Sequence, residues 1–479
     1  MSTAVWNPPR GRAGDVIPYV HDDVLHVFYL RTPVDDEAPN TTAWYHVATD
    51  DLVTWTDHGE AIGRGGADEQ DPSVATGSVV QDDDGLFHAF TTGFSRYDGP
   101  DGPRNQAVLH ATSADLITWV KDPGFWLGSD ESRYDRHDWR DPFVWRDAEG
   151  WRMVLAGRHR LPGDATRGER RRSGLVVQLR SDDLLSWHEV EPLWDPGLFT
   201  MHECPDVFAM GDWWYLVYST FDDRQVTRYR MARSPEGPWL APQVVRGHGD
   251  DALDDDGLYA ARTAGLRGRR LLVGWCPTRA GGEDSGDWQW GGSLVVHELV
   301  QRADGSLGTR LAGSGPDSEP VALTAGRGCW SVAGGGSWRV GCESGRATGS
   351  LGPVAPTGAV TVSFRPEQPT ARVGLRLIGR DEDYDVAVDL VRQEVVLDRG
   401  SRAAWQRPLH VRPSAPRDDA ATVLRAAWER DVVLVQVGDD DVLTARIHGG
   451  PPVRAEVFVE DGRGTLAVRA GEPAGDRRG

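Results

Sequence analysis

Hydrophobic and polar positions alternate with a period of two through the first 300 residues, in short runs separated by Gly, Ser and Asp clusters. This pattern is typical of β-strands. One run, rich in aromatic residues, follows a turn and occurs five times. The copies are DDVLHVFYL (22–30), DGLFHAFTTG (84–93), EGWRMVLAG (149–157), GDWWYLVYS (211–219) and GRRLLVGWC (268–276). No convincing amphipathic helix interrupts them, so strands are predicted throughout.

A second element follows four of these runs and reads as a strand, a tight Ser/Asp-rich turn and a Trp that begins the next strand. Its copies are HVATDDLVTW (46–55), HATSADLITW (110–119), QLRSDDLLSW (178–187) and RMARSPEGPW (230–239); GGSLVVHEL (291–299) follows the fifth run. The repeated Trp is predicted to pack between neighbouring units. Four-stranded units repeated radially form a β-propeller, here with five blades. A β-sandwich with coincidental turns is the alternative.

The repeat stops near residue 302. Residues 303–320 are rich in Gly, Ser and Pro and are predicted to be a linker. Residues 321–470 alternate again, with hairpin signals but no copy of the Trp element, and are predicted to form a β-sandwich. The prediction is therefore an all-β chain with a propeller at residues 1–302, a sandwich at 321–470 and a disordered tail at 471–479.

Composition narrows the function classes. The net charge of −21 argues against nucleic acids and membranes as partners, because both attract basic surfaces. No run of about 18 apolar residues is present, so no membrane span is predicted. The N-terminus lacks the apolar stretch of a secretory signal, which predicts a cytoplasmic location. The four Cys residues lack C-x-x-C spacing and give no indication of a metal site. The 20 Trp residues indicate packing between sheets or stacking on sugars.

Three acidic residues share one position in the repeat. Asp15, Asp141 and Glu203 each lie ten residues before the start of the aromatic strand of their copy. In a propeller this position falls on the innermost strand, so the three side chains are expected to converge at one mouth of the channel. The second and fifth copies carry Gly77 and Tyr259 at or near this position. Converging carboxyl groups suit glycosyl transfer to water, because one must be ionised while another holds a proton for the leaving oxygen.

The motifs RDP (140–142) and ECPD (203–206), in this order and in these blades, resemble glycoside hydrolase family 32. This is the family of invertases, levanases, inulinases and fructosyltransferases. The resemblance extends from about residue 5 to 470 and implies a five-bladed propeller followed by a β-sandwich.

The same resemblance implies roles for the acids. Asp15 would be the nucleophile, and Asp141 would stabilise the transition state by binding sugar hydroxyls together with Arg140. Glu203 would be the general acid/base. The implied reaction retains configuration through a covalent fructosyl-enzyme and uses no metal ion or other cofactor, with a nucleophile-to-acid separation of about 5–5.5 Å.

Several positions depart from the family pattern. The stretch WNPPRGRAGDVIP (6–18) has Pro8 where the family's W-N-D-P-N-G motif carries its aspartate, and proline cannot act as acid, base or nucleophile. Counting from Pro8 would also lengthen the first blade's inner strand and turn, so Asp15 is the candidate nucleophile. Thr76, in the stretch ATGS, replaces the serine of the family's F-S-G-S motif. His202 stands where Trp is usual.

These changes concern the sugar specificity, since they cluster in the predicted pocket. The candidates for substrate contacts are Arg140, Trp44, Thr76, Ser78, His202, Tyr259 and Trp290. His202 either tunes the pKa of the adjacent acid, contacts a leaving group or faces solvent. Trp44 and Trp290 are candidates for stacking on a sugar ring.

Four functions are consistent with the sequence. The first is a retaining β-fructofuranosidase acting on sucrose, short fructo-oligosaccharides or a related fructoside. The second is an inverting furanosidase of the arabinanase type, and the third is a fructosyltransferase. The fourth is a non-catalytic sugar-binding propeller. Each has a small carbohydrate as its partner, and the protein is expected to be a monomer or a homodimer.

Overall fold

The computed structural model describes residues 4–32, 41–95, 105–246, 250–312, 319–402, 408–413 and 421–471. The described chain is almost entirely β. Its helical segments are α1 (Arg167–Arg170), α2 (Pro242–Arg246) and a 3₁₀ turn (Ala280–Gly282). Among these residues no helix has the length and apolar character needed to cross a membrane. The predicted all-β fold, a five-bladed propeller followed by a sandwich, is confirmed.

Each blade is an antiparallel sheet whose first strand lies against the central channel. The propeller strands are β1 (Val5–Trp6); β2 (Arg12–His21), β3 (Val24–Thr32), β4 (Ala43–Thr49) and β5 (Thr56–Ile62) in blade 1; β6 (Ser73–Gln81), β7 (Phe87–Phe94), β8 (Gln106–Ser113) and β9 (Val120–Lys121) in blade 2; β10 (Tyr134–Asp147), β11 (Gly150–His159), β12 (Gly174–Ser181) and β13 (His188–Glu189) in blade 3; β14 (Glu203–Met210), β15 (Trp213–Thr220) and β16 (Val226–Ala232) in blade 4; and β17 (Tyr259–Leu266), β18 (Arg269–Arg279) and β19 (Trp288–Gln301) in blade 5. The inner strands β2, β6, β10, β14 and β17 contact one another in succession around the channel.

The ring closes between blades 5 and 1. β1 pairs with β19, with Val5 opposite Val295 and Trp6 opposite Leu294. A further pair between Gly292 of β19 and β2 joins the two blades into one sheet. Backbone pairing therefore connects the segment before blade 1 to the last blade.

The Ser/Asp-rich turn of the repeat has a local cause. In blades 1 to 3 a hydroxyl at the end of the third strand accepts a 2.9 Å hydrogen bond from the N–H of a Leu three residues later. The pairs are Thr49–Leu52, Ser113–Leu116 and Ser181–Leu184. These bonds hold the Leu at a φ of 62–65°, which would otherwise be strained.

The Trp that ends each turn packs against the preceding blade. The Trp119 ring lies 5.7 Å from that of Phe28 in blade 1, and the Trp187 ring lies 5.6 Å from that of Phe90 in blade 2. Both pairs meet edge to face, a favourable geometry for aromatic rings. The predicted packing role of the repeated Trp is confirmed at these two positions.

The sandwich follows the propeller. Its described strands are β21 (Glu319–Pro320), β22 (Thr324–Ala325), β23 (Cys329–Gly334), β24 (Ser337–Pro353), β25 (Thr357–Pro366), β26 (Arg372–Ile378), β27 (Asp383–Asp389), β28 (Glu394–Arg399), β29 (His410–Pro413), β30 (Thr422–Glu429), β31 (Val432–Val437), β32 (Asp441–Arg446) and β33 (Arg454–Gly471). The first half of β33 pairs with β26 and its second half with β25. β33 is thus shared by two layers that enclose a core including Phe364, Leu375 and Leu466.

The predicted linker at 303–320 differs from the structure in its first part. Leu307–Leu311 forms a strand, β20, that pairs with β19 and extends the sheet of blade 5. Leu307 and Leu311 are buried, because their alternation with polar residues gives the strand an apolar face. Gly471 ends β33, and the rest of the predicted tail lies outside the described residues.

Candidate active site

The inner strands of blades 1, 3 and 4 bring three carboxyl groups together at the channel. Arg140 connects two of them: its Nη2 donates to Glu203 Oε1 at 2.9 Å, and its Nε lies 3.8 Å from Asp141 Oδ2. The N–H of Cys204 donates to the same Asp141 oxygen at 3.0 Å. Asp15 completes the group, because the charges of both other carboxylates act on its pKa. The acids predicted from the repeat therefore share one site.

Asp15 is held by one side chain from each neighbouring blade. Thr76 Oγ1 of blade 2 donates to Asp15 Oδ2 at 3.0 Å, and Trp275 Nε1 of blade 5 donates to Oδ1 at 3.1 Å. Burial, followed by the charges of Asp141 and Glu203, raises the pKa of Asp15 from 3.8 to about 7, although the two hydrogen bonds lower it. Of the three carboxyl groups at the site, that of Asp15 is therefore the one that retains its proton up to near-neutral pH.

Glu203 accepts hydrogen bonds at both oxygens. Arg140 contacts Oε1, and the Tyr259 hydroxyl donates to Oε2 at 2.5 Å. Burial and the Glu203 charge raise the pKa of Tyr259 well above its ordinary value of 10, so its hydroxyl stays a donor. Burial opposes the charge on Arg140, but Glu203, Asp138 and Asp141 together raise its pKa. The Arg140 guanidinium and the Tyr259 hydroxyl thereby fix the orientation of the Glu203 carboxyl group.

These contacts join into a closed ring that passes through all five blades. Its members, in order, are Asp15, Thr76, Thr92, Asp141, Cys204, Glu203, Tyr259 and Trp275. Thr92 links blades 2 and 3, since its hydroxyl donates to the Thr76 carbonyl at 2.8 Å and accepts from the Asp141 N–H at 2.9 Å. The Tyr259 and Trp275 rings lie 5.6 Å apart and close the ring in blade 5. The position of each carboxyl group thus depends on the neighbouring blades.

Arg262 lies on the inner strand of blade 5 and is only 1% exposed. Its guanidinium donates to the carbonyl of Gly77 in blade 2 and to the carbonyls of Asp141 (2.8 Å) and Pro142 (3.5 Å) in blade 3. One side chain of blade 5 therefore satisfies backbone acceptors of two other blades where the inner strands leave their regular pairing.

Every inner strand carries a β-bulge at the site. The bulges contain Asp15, Thr76, Asp141–Pro142, Cys204–Pro205 and Ala260–Ala261 in blades 1 to 5. Glu203 pairs with Ser219 and is the last paired residue before the bulge of blade 4. In blade 3 the equivalent position is that of Arg140, which pairs with Ala156. The prediction of one shared position for all three acids is therefore wrong by one residue for Glu203. Bulges often redirect side chains next to active sites, and here they do so in each blade.

Two predicted substrate contacts are corrected by burial. Trp44 is 0% exposed, and its indole nitrogen donates to the Ala75 carbonyl at 2.8 Å. Ser78 is also buried, and its hydroxyl accepts from the Val144 N–H at 3.0 Å. Neither side chain offers a surface to a ligand, because Trp44 packs between blades 1 and 2 and Ser78 between blades 2 and 3.

His202 is also corrected, since it neither faces solvent nor contacts the Glu203 carboxyl group. It is 0% exposed and lies among Trp194, Phe199 and Tyr218, with ring centroids 4.8–5.8 Å away. Neither ring nitrogen has a hydrogen-bond partner among the described residues. Burial, followed by the charge of Arg230, lowers its pKa to about 3. The ring is therefore a neutral packing group.

Trp290 and Thr76 remain beside the site. Trp290 is half-buried, with its ring 5.7 Å from that of Trp275 and pressed against Gly14, where a Cβ would lie 2.1 Å from the indole. Sequence reasoning missed Trp275 and Thr92. Trp275 belongs to the aromatic run of the repeat, whose residues pack between blades. Nothing in the sequence of that run distinguishes Trp275 from these packing residues.

The described residues contain one group of potential metal ligands, Asp255, Asp256 and His410. His410 Nδ1 lies 2.7 Å from an Asp256 oxygen and 3.3 Å from an Asp255 oxygen. Burial opposes protonation, but the two carboxylates raise the pKa of His410 to about 10. With His410 protonated, these three side chains form a buried ion cluster between the propeller and the sandwich.

Fold and site together define a β-propeller protein with a carboxylate centre of the kind that glycosidases use. The family "Glycosyl hydrolases family 32 N-terminal domain" matches residues 14–305, well over half of the chain. The chain belongs to this family, and the resemblance predicted from its motifs is confirmed.

Curated relatives cover part of the chain. Sucrose-6-phosphate hydrolase of Escherichia coli is 28% identical over 315 residues, which are 63% of this chain and 62% of that protein. Raffinose invertase of Escherichia coli is 26% identical over 313 residues, 63% of this chain and 62% of that protein. Levanbiose-producing levanase of Bacillus subtilis is 28% identical over 208 residues, 40% and 34%. The chain thus spans less than two thirds of the length of these relatives.

Solved structures match over nearly the whole chain. A β-fructofuranosidase of Bombyx mori has a TM-score of 0.70 at 19% identity and covers 97% of this chain and 92% of its own. Exo-inulinase of Aspergillus awamori has a TM-score of 0.72 at 17% identity and covers 97% of each chain. These likenesses show the fold, including the sandwich.

Proposed function

We propose that the protein is a retaining glycosidase that releases terminal β-fructofuranosyl units from sucrose, fructo-oligosaccharides or a related fructoside. The proposal rests on one observation: Asp15, Asp141 and Glu203 belong to the same contact ring at the propeller channel. The names of the relatives support it, since a sucrose-6-phosphate hydrolase, an invertase and a levanase all act on fructosyl compounds. The partner is a small carbohydrate, the protein is cytoplasmic, and it needs no metal ion.

In the first step an Asp15 oxygen attacks C2 of the fructosyl unit while the bond from C2 to the leaving oxygen breaks. Glu203 gives its proton to that oxygen. Attack requires ionised Asp15 and protonated Glu203, so the proton that the raised pKa of Asp15 keeps on that carboxyl group must pass to Glu203 before the step. The product is a fructosyl ester of Asp15 and a free alcohol or sugar.

In the second step Glu203 takes a proton from water, the water oxygen bonds to C2, and Asp15 leaves as a carboxylate. Arg140 and Tyr259 keep the Glu203 carboxyl group in one orientation through both steps. Asp141 binds sugar hydroxyls where charge develops on the ring, with its own orientation fixed by Arg140 and the Cys204 N–H.

Incubation with sucrose, sucrose 6-phosphate, a short inulin oligomer and levan tests the substrate class. Fructose release from at least one is expected; no release from any, with cleavage of another furanoside, would contradict it. Asp15→Asn and Glu203→Gln are each expected to lower kcat about 10³-fold. Asp182→Asn, at an exposed turn, is the matched control and should retain full activity.

Three measurements separate the alternatives. NMR of the first-formed anomer distinguishes retention from the inversion of an arabinanase-like enzyme. Sugar products longer than the substrate would indicate a fructosyltransferase. Sugar binding by the native protein without turnover of any furanoside would indicate a non-catalytic propeller. Sedimentation analysis decides between a monomer and a homodimer.

A further inference from the structure

The last paired residue before the bulge of each inner strand occupies an equivalent place around the channel. From blade 1 to blade 5 these residues are Gly14, Ala75, Arg140, Glu203 and Tyr259. In blades 3 to 5 their side chains meet, since Arg140 and Tyr259 both donate to Glu203. This position therefore directs side chains into the site, and the last three residues form a polar arc there.

Blades 1 and 2 carry no large side chain at this position. Gly14 and Ala75 complete the circle, so the space that they leave faces the polar arc. Asp15, next to Gly14, and Ala75 are both half-buried. This side of the site is therefore accessible to a ligand held between the proposed nucleophile and the polar arc.

Trp290 of blade 5 fills the place of the missing blade 1 side chain. The three atoms that a Cβ on Gly14 would meet first all belong to the Trp290 indole. Gly14 lies in β2 without the positive φ that favours glycine, so it is the indole and not the backbone that requires glycine there. Trp290 is half-buried, and part of its ring is thus accessible beside Asp15.

A bulge in β19 brings Trp290 to this place. The pairing of β19 with β18 shifts its register here and leaves Trp290 and Gly291 unpaired. Gly291 has a φ of 84°, which glycine adopts without steric cost. The next residue, Gly292, pairs with Ala13 of β2, so the bulge lies directly against the strand that carries Asp15. Bulges commonly redirect a side chain in this way next to active sites.

The pair of Gly14 and Trp290 departs from the family motif. When W-N-D-P-N-G is aligned on Asp15, Gly14 stands where the motif has the asparagine before its aspartate. An asparagine side chain donates and accepts hydrogen bonds, whereas an indole offers a flat apolar face to C–H groups. The chain therefore has an aromatic face beside the proposed nucleophile in place of an amide.

We propose that Trp290 is a specificity-determining residue that binds the C–H-rich side of the furanosyl unit, while the polar arc and Asp141 bind its hydroxyls. The inference rests on the proposed function, since it concerns the sugar held at the same site. A site that hydrogen bonds a hydroxyl rejects an analogue without it by about 10⁴–10⁵-fold, but an apolar wall discriminates by only about 10²-fold or less. The substrate class therefore includes deoxyfructosides that lack the hydroxyl nearest to Trp290.

Analogues of the substrate test this specificity. Sucrose, or another member of the substrate panel if it is cleaved faster, is compared with analogues in which hydrogen replaces one hydroxyl of the terminal fructosyl unit. At least one analogue is expected to keep its kcat/KM within about tenfold of the parent. The others are expected to fall by about 10³-fold or more, because their missing hydroxyls face the polar arc and Asp141. Rejection of every analogue by more than about 10³-fold would overturn the inference.

The double variant Gly14→Asn/Trp290→Ala places an amide beside Asp15 instead of the indole. It is expected to reject the tolerated analogue at least about tenfold more strongly than the unsubstituted protein does, because the amide is left without its partner. The ratio of the two kcat/KM values does not depend on the fraction of folded enzyme, so a partial loss of stability cannot produce this change. An unchanged ratio would contradict the role of Trp290.

The single variants test whether the two positions depend on each other. Gly14→Asn alone forces its side chain against the indole and is expected to lower kcat/KM about 100-fold, and Trp290→Ala alone is expected to raise KM about tenfold. The double variant should recover at least about tenfold over Gly14→Asn, which independent sites would not show. Trp126→Ala, at a ring that is 48% exposed on blade 2, is the matched control and should keep full activity.

The two proposals fail in different ways. Cleavage of fructosides with rejection of every deoxy analogue contradicts the role of Trp290 and leaves the proposed function intact. Cleavage of another furanoside but of no fructoside, with recovery of activity in the double variant, supports the role of Trp290 and contradicts the proposed function.

Discussion

Thr76 Oγ1 donates a 3.0 Å hydrogen bond to Asp15 Oδ2, so a residue of blade 2 acts directly on the carboxyl group of blade 1 proposed as the nucleophile. The hydrogen bond favours the ionised form of Asp15 and opposes the effects of burial and of two neighbouring carboxylates. The substitution of the family's serine by Thr76 therefore keeps a hydroxyl where one is needed.

Thr76→Val is expected to move the acid limb of the kcat/KM profile to higher pH. Asp15 must be ionised to attack, and its pKa of about 7 means that the rate rises as pH passes through this value. Losing the hydrogen bond raises that pKa further, so the limb moves up by about 0.5–1 pH unit. The pH profile of kcat/KM measures this. Thr76→Ser keeps the hydroxyl and should leave the limb in place; an equal movement in both variants would exclude the hydrogen bond as the cause.

Asp15→Asn is expected to stabilise the fold at high pH. The pKa of Asp15 is 3.8 when unfolded and about 7 when folded, so its cost to stability grows as pH rises from 3.8 to 7. The variant should gain about 1–3 °C in Tm at pH 8 and almost nothing at pH 4. Differential scanning calorimetry at both pH values checks this, with Asp182→Asn as control. A gain of the same size at both pH values would contradict the assigned titration.

Tyr259→Phe removes the hydroxyl that donates to Glu203 at 2.5 Å. Hydrogen bonds to charged groups contribute about 1.5–3 kcal/mol, so kcat/KM is expected to fall about 10–100-fold. Steady-state kinetics measures the loss. Tyr218→Phe is the control, because the buried Tyr218 hydroxyl has no partner among the described residues. A similar loss in the control would show that ring packing, rather than the contact with Glu203, matters.

Arg262→Met is expected to destabilise the propeller by about 2–5 kcal/mol, since it leaves buried carbonyls of two blades without a donor. Urea unfolding monitored by Trp fluorescence gives the free energy of unfolding. Arg171→Met, at a side chain that is 57% exposed, should cost less than about 0.5 kcal/mol. Comparable losses would mean that Arg262 does not act as a link between blades.

His202→Phe is expected to reduce acid sensitivity without changing kcat. His202 has a pKa of about 3 when folded and 6.5 when unfolded, so the stability it contributes is present above pH 6.5 and is lost as pH falls towards 3. The drop in Tm between pH 7.5 and 4.5 should be smaller in the variant. A lower kcat with unchanged stability would instead favour a role for His202 in substrate contact.

Much of the fold was accessible from the sequence because the repeat is long and locally explained. In the turns of blades 1 to 3 the Leu N–H donates to the hydroxyl of the Thr or Ser three residues earlier. The spacing of these residues therefore marks the end of the third strand. The boundary after residue 302 was harder to predict. Gly305 and its neighbours look like a linker, yet β20 returns to pair with β19, a tertiary contact that local composition does not encode.

The carboxyl group positions were predictable to within one residue. Each bulge inserts one extra residue, but counting back from the aromatic strand also assumes that the hairpins and their reference residues correspond. Trp213 pairs with Met210 directly across its turn, whereas Trp151 pairs with Arg146, one position further from the turn. In blade 2 the hairpin between the paired Gln81 and Phe87 is one residue longer than that between Val20 and Leu25 in blade 1. The count therefore aligns Glu203 with Asp141, whereas the pairing aligns it with Arg140. Thr76 rather than Gly77 occupies the bulge of blade 2 for the same reason.

Substrate contacts were the least predictable part. Ser78 and His202 lie within two residues of Thr76 and Glu203 along the chain, but their side chains, like that of Trp44, are buried. Which face of a strand a residue occupies depends on the bulge beside it. Trp275 and Thr92 reach the site from blades whose sequence motifs carry no acid.

The contact ring takes a link from every blade, and β1 pairs with the final blade only after β19 exists. During synthesis the carboxyl groups thus acquire their shared environment late, when residues up to about 301 have left the ribosome. In an incomplete chain the three acidic side chains are separate from one another and do not form a site. Recovery of activity on refolding therefore indicates that all five blades have formed and that the contact ring is complete.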